Sequence, residues 1–543
     1  MSAASPSLDM TREDPARRIW VRWLTPSLSD FFFVAIVTWT FLISPFGWAQ
    51  LLADGDTGWH IRTGQWIFAE GRFPYTDMFS FSKAGESWFA WEWGSDLWFA
   101  FLFDRAGLKG ITLFAGAWIA LFAWVILRYM VWRGANGILA LLISLVAVGA
   151  SSLHYLARPH IFTLLFVPLS LWIIEADRRK TGNLIWLLVP LTVLWTNLHG
   201  GFLALIAFLG LLTVGSAIEL AWNSGWNWKE PRVTFAPALR YGLLTLACAL
   251  ATVVNPYGWK LHQHIAAYLN SDWIKSVVQE FQAPTFRGEG LRQYEMLLFA
   301  ALLVAASMLA RRRVVEPLWI LFWAHQSLTS ARHITLFAAL AGPLVACEAT
   351  RLWNSFRAGA GRKSVRAILH SMSTDLSAGM KWSSVWPLLF IGTLLALQEP
   401  IRWPQDFPSQ KFPTDLVRKH EGLIRESRLL TTDQWGDYIL FHYWPAQKVF
   451  IDGRSDFYGP KIGNEYLRLS QGGWDWNQLL DRHGFTAALV PLEWPLAALL
   501  KQHPGWKVLS DDGKALVFQK IAAKPQSAAA SGAVTPGKIW GRH

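Results

Sequence analysis

The 543-residue chain carries 50 Lys and Arg against 38 Asp and Glu, a formal charge of +12, and 52% of it is hydrophobic while only 16% is charged. Soluble domains usually carry about 25% charged residues, so disorder, collagen and a disulfide scaffold are excluded and the chain reads as a polytopic membrane protein. The basic surplus admits two readings, a nucleic-acid partner or an orientation signal. Cys248 and Cys347 lie far apart in apolar runs and read as small buried hydrophobes, not as a disulfide or a metal pair.

A helix crosses a bilayer with roughly 20 mainly apolar residues. In chain order such stretches fall at 30–53, 108–127, 137–153, 161–176, 184–198, 202–222, 240–254, 295–310, 314–330, 334–349 and 384–398, a count of about eleven spans. The first is longer than the usual apolar core of a signal peptide, and no small-x-small site follows it, so it reads as a retained anchor. Lys and Arg are about twice as dense in the loops sharing the N-terminal side, which sets that side in the cytoplasm. The charge therefore marks orientation, and no nucleic-acid partner is expected.

The expected organisation is a cytoplasmic segment 1–29, then a multi-pass membrane domain 30–398 with a long first external loop 54–107. An extracytoplasmic α/β domain 399–523 and a disordered tail 524–543 complete it. Within the α/β domain, 428–432, 448–452, 487–490, 506–509 and 515–519 read as strands, and 413–426 and 476–484 as helices. In the first external loop, 57–70 and 88–104 read as helices lying along the membrane.

Ionisable groups at the membrane boundary are costly and so are functional candidates. Here they share one side of the expected topology. The first loop holds Asp54-Gly55-Asp56, His60 and Glu92. Later external turns hold Arg158-Pro159-His160, Asn197-Leu198-His199, Asn255-Pro256-Tyr257 and Arg332-His333. Each has a plainer reading: an Asp-Gly turn, an acid in an interfacial aromatic belt, snorkelling arginines, an interhelical histidine or a helix stop. Their joint placement favours a single external polar cleft.

Two carboxylates at the bilayer edge can bind a divalent cation such as Mg or Mn, or take a proton from a hydroxyl. Two Arg–His pairs facing them can hold a phosphate and stabilise its charge as it leaves. Together these describe transfer from a lipid-linked phosphosugar.

With its acidic motif Asp54-Gly55-Asp56 after the first span, a long external loop and a C-terminal external α/β domain, the chain resembles the GT-C superfamily of integral-membrane glycosyltransferases. The longer run from Asp54 through Trp59-His60, with His199-Gly200-Gly201, Asn255-Pro256-Tyr257-Gly258 and Asp452-Gly453-Arg454, also resembles a group of bacterial multi-pass glycosyltransferase-like proteins. The resemblance implies a polyprenyl-phosphate sugar donor, an extracytoplasmic glycan, lipid or polymer acceptor, inversion at the anomeric carbon, and Asp54 or Asp56 as base. Arg158, His160, Arg332 and His333 would then bind the donor phosphate, with His60, Glu92, Asn197, His199, Asn255 and Tyr257 elsewhere in the cleft. The Trp-Trp-Asp signature of oligosaccharyltransferases is absent. A transporter or flippase, or a non-catalytic binder of lipid-linked envelope glycans, is the alternative reading. The transporter is disfavoured by the one-sided polar groups and by the lack of an internal repeat, while the non-catalytic binder stays open.

Overall fold

The computed structural model describes residues 23–224, 235–288, 290–358, 361, 363–399 and 401–521. The expected disordered tail and most of the expected cytoplasmic N-terminal segment lie outside the described residues.

The chain is a helical membrane protein with a small C-terminal sheet. Each of the eleven apolar stretches contains a helix, but eleven independent spans is too many. Among the described residues, five helices are long and apolar enough to cross a bilayer: Trp93–Arg133, His160–Arg179, Phe202–Asn223, Leu291–Leu309 and Ala331–Arg357. Five further apolar helices are shorter, Leu28–Ile43, Gly137–Ala150, Asn183–Leu198, Ala236–Ala251 and Trp386–Ala396. The physical reason is early termination. Gly137–Ala150 has 14 residues and rises about 21 Å, short of a hydrocarbon core of about 30 Å. The helix ending at Leu198 stops where His199 turns extended, just before Gly200 and Gly201.

The loop after the first apolar helix carries helix α1 (Asp56–Glu70) and leads into α2 (Trp93–Arg133). Inside α2, Gly107 takes φ 59° and ψ −156°, a conformation that a Cβ would strain. That break divides the loop helix expected at 88–104 from the apolar span that follows it. Two more helices carry cleft residues at their starts, α3 (His160–Arg179) and α4 (Ile334–Arg357).

The C-terminal region contains α5 (Asp433–Tyr443), α6 (Ser455–Ser470) and four strands, β1 (Leu429–Leu430), β2 (Ala487–Pro491), β3 (Trp506–Asp511) and β4 (Ala515–Lys520). The sheet order is β1-β2-β4-β3, with β1 parallel to β2 and the other pairs antiparallel. Leu489, Val490, Leu516, Val517 and Phe518 are fully buried in its core.

The stretch 448–452, expected as a strand of this sheet, pairs elsewhere. Val449 donates its N–H to the Phe79 carbonyl (3.0 Å) and accepts from the Phe81 N–H (2.9 Å), so it ties the C-terminal region to the first loop. Backbone groups need partners wherever they are buried, and Val449 finds its partners in the loop. Helices α5 and α6 were not expected; short polar and Gly-rich runs conceal their apolar faces.

Candidate active site

The site begins with the glycines of the first loop. A Cβ on Gly55 would lie 2.5 Å from the Gln434 carbonyl, and one on Gly58 2.9 Å from both the Asp437 carbonyl and Phe441 Cβ. Only glycine allows α1 to press against α5 this closely. The contact is fixed by the Gly55 N–H donating to Gln434 Oε1 (2.7 Å) and by Arg62 Nε donating to the Phe441 carbonyl (2.7 Å). Helix α5 thereby brings Asp433 and Asp437 beside the loop acids.

Arg158 is the centre of the arrangement. Its Nη1 lies 2.9 Å from Asp54 Oδ2 and its Nη2 lies 2.5 Å from Asp56 Oδ2. The expected geometry had the arginine facing the acids across a cleft; instead it is bonded to both. Burial pushes the Asp56 carboxyl up, and Arg158 pulls it back, leaving it at about 7. Asp56 Oδ1 has no hydrogen-bond partner and faces Gly453, where a Cβ would approach it to 1.9 Å. Gly453 itself donates its N–H to Asp437 Oδ1 (3.0 Å).

Behind these acids lies a chain of buried groups. His60 Nδ1 is 2.5 Å from Asp96 Oδ1, and its Nε2 is 3.9 Å from Glu92. On the other side of Glu92, His199 Nε2 stands at 3.7 Å. His199 Nδ1 accepts from the Gly201 N–H (2.9 Å) and from the Thr163 hydroxyl (2.8 Å). Burial, with Arg158 and His160 close by, holds His60 well below the usual imidazole range. Burial also raises the Glu92 carboxyl to about 8, against the opposing pull of Arg158.

Two cavities meet here. A polar one of about 1030 Å³ is lined by Asp54, Asp56, His60, Glu92, Arg158, Arg332, Asp433, Asp452 and Asp456, among others. A second of about 380 Å³ continues into the helical bundle past Leu203, Ala204, Ala207, Phe322 and Leu336, and is also lined by His199 and His333. Trp91, Glu92, His154, Arg158, His160, Tyr268, Glu280 and Arg332 line both and form the neck. At the neck, Arg332 stands over the Phe281 ring (4.2 Å) and 3.8 Å from Glu280. Burial pushes Glu280 up, but Arg332 and Arg158 outweigh it and hold the carboxyl at about 2. His160 Nε2 donates to the His154 carbonyl (2.8 Å), and His333 Nδ1 to the Gln326 carbonyl (3.2 Å).

Three expected cleft residues line neither cavity. Asn197 accepts from Trp93 Nε1 (2.7 Å) and donates to the Val193 and Val254 carbonyls, so its amide is fully used between helices. Asn255 closes its own turn by accepting from the Tyr257 N–H (2.9 Å), and Tyr257 packs on Phe89 with ring centroids 4.4 Å apart. Conversely, Glu280, His154 and Asp433 were not singled out from the sequence, whereas Asp437 stands in the polar run Gly436-Asp437-Tyr438. A lone acid in a loop and acids distant in the chain carry no local pattern.

The Asp452-Gly453-Arg454 run is a clamp. Arg454 Nη2 binds Asp452 Oδ2 and Asp77 Oδ1, each at 2.7 Å, inside a cage of Phe79, Trp88 and Phe457. It joins the C-terminal region to the first loop and so holds α5 against α1.

As a divalent-cation site the Asp54–Asp56 pair fits poorly, because one guanidinium already occupies both carboxylates. Among the described residues, no group of three or more His, Cys, Asp or Glu is arranged to hold a metal ion.

No family model matches the chain, and no curated protein matches its sequence. Solved structures do match. Oligosaccharyltransferase AglB from the archaeon Archaeoglobus fulgidus, in complex with an inhibitory peptide and a dolichol-phosphate, superposes with a TM-score of 0.52 at 10% identity, over 92% of this chain and 74% of that one. The Archaeoglobus fulgidus enzyme tethered to an acceptor peptide containing the NVT sequon gives 0.49 at 12%, over 91% and 73%. The chain shares its fold with this archaeal oligosaccharyltransferase. At such identity the likeness speaks to fold alone.

Proposed function

We propose that the chain is a membrane glycosyltransferase that moves a sugar from a polyprenyl-phosphate donor to a hydroxyl of an extracytoplasmic glycan, lipid or polymer. The observation that carries this reading is the joined pair of cavities: an apolar-walled one for a lipid, a polar one for sugars, and Arg158 with Arg332 at the neck. The dolichol-phosphate held by the archaeal protein of the same fold supports a lipid-phosphate donor here. The absence of Trp-Trp-Asp argues against a peptide asparagine acceptor, although that protein is an oligosaccharyltransferase. The basic bias of the loops supports a cytoplasmic N-terminus and a cleft outside the cell inner membrane.

On this reading the donor phosphate lies at the neck between the two guanidinium groups, with His160 and His333 beside it. Asp56, whose raised carboxyl suits proton transfer near neutral pH, takes the proton of the acceptor hydroxyl. The acceptor oxygen bonds to the anomeric carbon as the bond from that carbon to the phosphate oxygen breaks. Polyprenyl phosphate departs with its new negative charge facing Arg158 and Arg332. A single displacement of this kind inverts the anomeric centre.

The test is to supply purified protein with a panel of polyprenyl-phosphate sugars and follow release of polyprenyl phosphate. Turnover of at least one donor, abolished in Asp56→Asn with the fold retained, is the expected result. Full activity in both Asp54→Asn and Asp56→Asn would overturn the assignment of the base.

A further inference from the structure

A paired-acid motif at a phosphate site invites a divalent ion, and the geometry of this one answers that invitation differently. Divalent ions sit about 2.0–2.6 Å from carboxylate oxygens and gather six or more ligands. Between Asp54 and Asp56 that space holds the Arg158 guanidinium, one nitrogen on each carboxylate at 2.9 and 2.5 Å. Arginine does not lose its charge in proteins, so an added ion would face a fixed positive neighbour in a buried site. The remaining acids are engaged too: Asp437 accepts from the Gly453 N–H, and Asp433 accepts from the Tyr466 hydroxyl at 3.3 Å.

The arginine is also held where it stands. The Ala157 N–H donates to the Leu51 carbonyl (2.8 Å), and the Thr57 hydroxyl donates to the Ala157 carbonyl (2.8 Å). These two bonds pin the backbone next to Arg158 onto the start of the first loop, on both sides of the acidic motif. Arg158 lines both cavities, and of its five N–H groups one on each Nη faces an aspartate, which leaves donors for an anion at the neck.

We infer that Arg158 is the resident cation of this site, taking the position and charge that a divalent ion would hold between Asp54 and Asp56, so that the protein needs no metal there. Its role toward a donor phosphate rests on the glycosyltransferase reading; its displacement of a metal does not. A covalently attached cation cannot be lost to chelation, and it carries one charge rather than two.

The experiment uses Mn²⁺ as the probe, with binding to the purified full chain read by its electron paramagnetic resonance signal. Wild-type protein is expected to bind no stoichiometric Mn²⁺. Arg158→Gln removes the like charge and is expected to tighten Mn²⁺ binding more than about tenfold, and adding Asp56→Asn reverses the gain. Arg158→Ala serves as a second variant if the glutamine form does not fold. Stoichiometric Mn²⁺ on the wild type that disappears in Asp54→Asn or Asp56→Asn would overturn the inference. So would folded Arg158 variants that bind Mn²⁺ no better than the wild type. Binding is read without turnover, so its outcome is independent of the donor assay, in which activity is expected to survive EDTA.

Discussion

The two ends of helix α3 both bury charge, and they do so in opposite ways. At its C-terminal end Glu175 meets Arg178 (3.5 Å), Arg179 (3.1 Å) and Arg133 (3.7 Å), and Glu316 meets Arg178 at 2.8 Å and also Arg313. Nearby, Glu348 is held by Arg311 (2.7 Å) and Arg351 (2.6 Å). Each of these acids has at least two arginines and lines neither cavity. At the other end one arginine serves two aspartates, histidines and a third acid crowd round it, and two cavities converge. Buried charge that is fully neutralised by rigid partners is structure, whereas acids in excess beside open space are poised for a substrate.

Substitution at each end should separate these roles. The largest effect is expected at the cavity end, where Asp56→Asn should lower turnover by about 10²–10³ or more with a much smaller change in melting temperature. Glu316→Gln at the other end should do the reverse, because breaking a buried ion pair costs about 3–5 kcal/mol. Parallel turnover and melting measurements in detergent would break the comparison if Glu316→Gln proved as inactive as Asp56→Asn while equally stable.

Next in size, Arg332→Ala should raise the donor KM by about tenfold to a hundredfold, the worth of a charge-assisted contact to phosphate, and leave binding of a lipid lacking phosphate unchanged. Titration with both lipids checks it. The pH profile should follow Asp56: a base raised to about 7 acts only when deprotonated, so kcat should climb with pH and level off above that value.

Glu92 makes a smaller prediction, about stability. With its carboxyl raised by burial to about 8 from an ordinary 4.5, the folded protein holds a proton between those values that the unfolded chain has released. Stability should therefore fall as pH rises through that window, and Glu92→Gln should flatten the fall in a melting series. Smallest of all, Asn255→Ala should weaken a turn and change donor turnover by less than about twofold, since the residue lines neither cavity.

Much of the cleft was legible because membrane depth makes polar residues conspicuous. Asp54, Asp56, His60, Glu92, Arg158, His160, His199, Arg332 and His333 all line one or both cavities. Asn197 and Asn255 stood in equally polar runs but spend their amides on helix ends and turns, and Tyr257 packs its ring on Phe89, a distinction invisible without partners. The Gly55 and Gly58 pattern was visible in the motif, yet its cause, the close face of α5, lies elsewhere in the chain. The spans were overcounted because apolar composition marks a helix without measuring its length, so helices as short as Gly137–Ala150 counted as spans.

The sequence by itself determined that the chain forms apolar helices, since transfer of side chains into lipid is a local, additive property. It also determined a small sheet, through the short runs at 428–432, 487–490, 506–509 and 515–519. Only the tertiary structure decided which charges meet. Gly55 bonds to a residue 379 positions away, and Arg158 reaches acids 104 and 102 positions before it. Electrostatic pairing depends on a few ångströms of separation, and no local pattern in a chain encodes that.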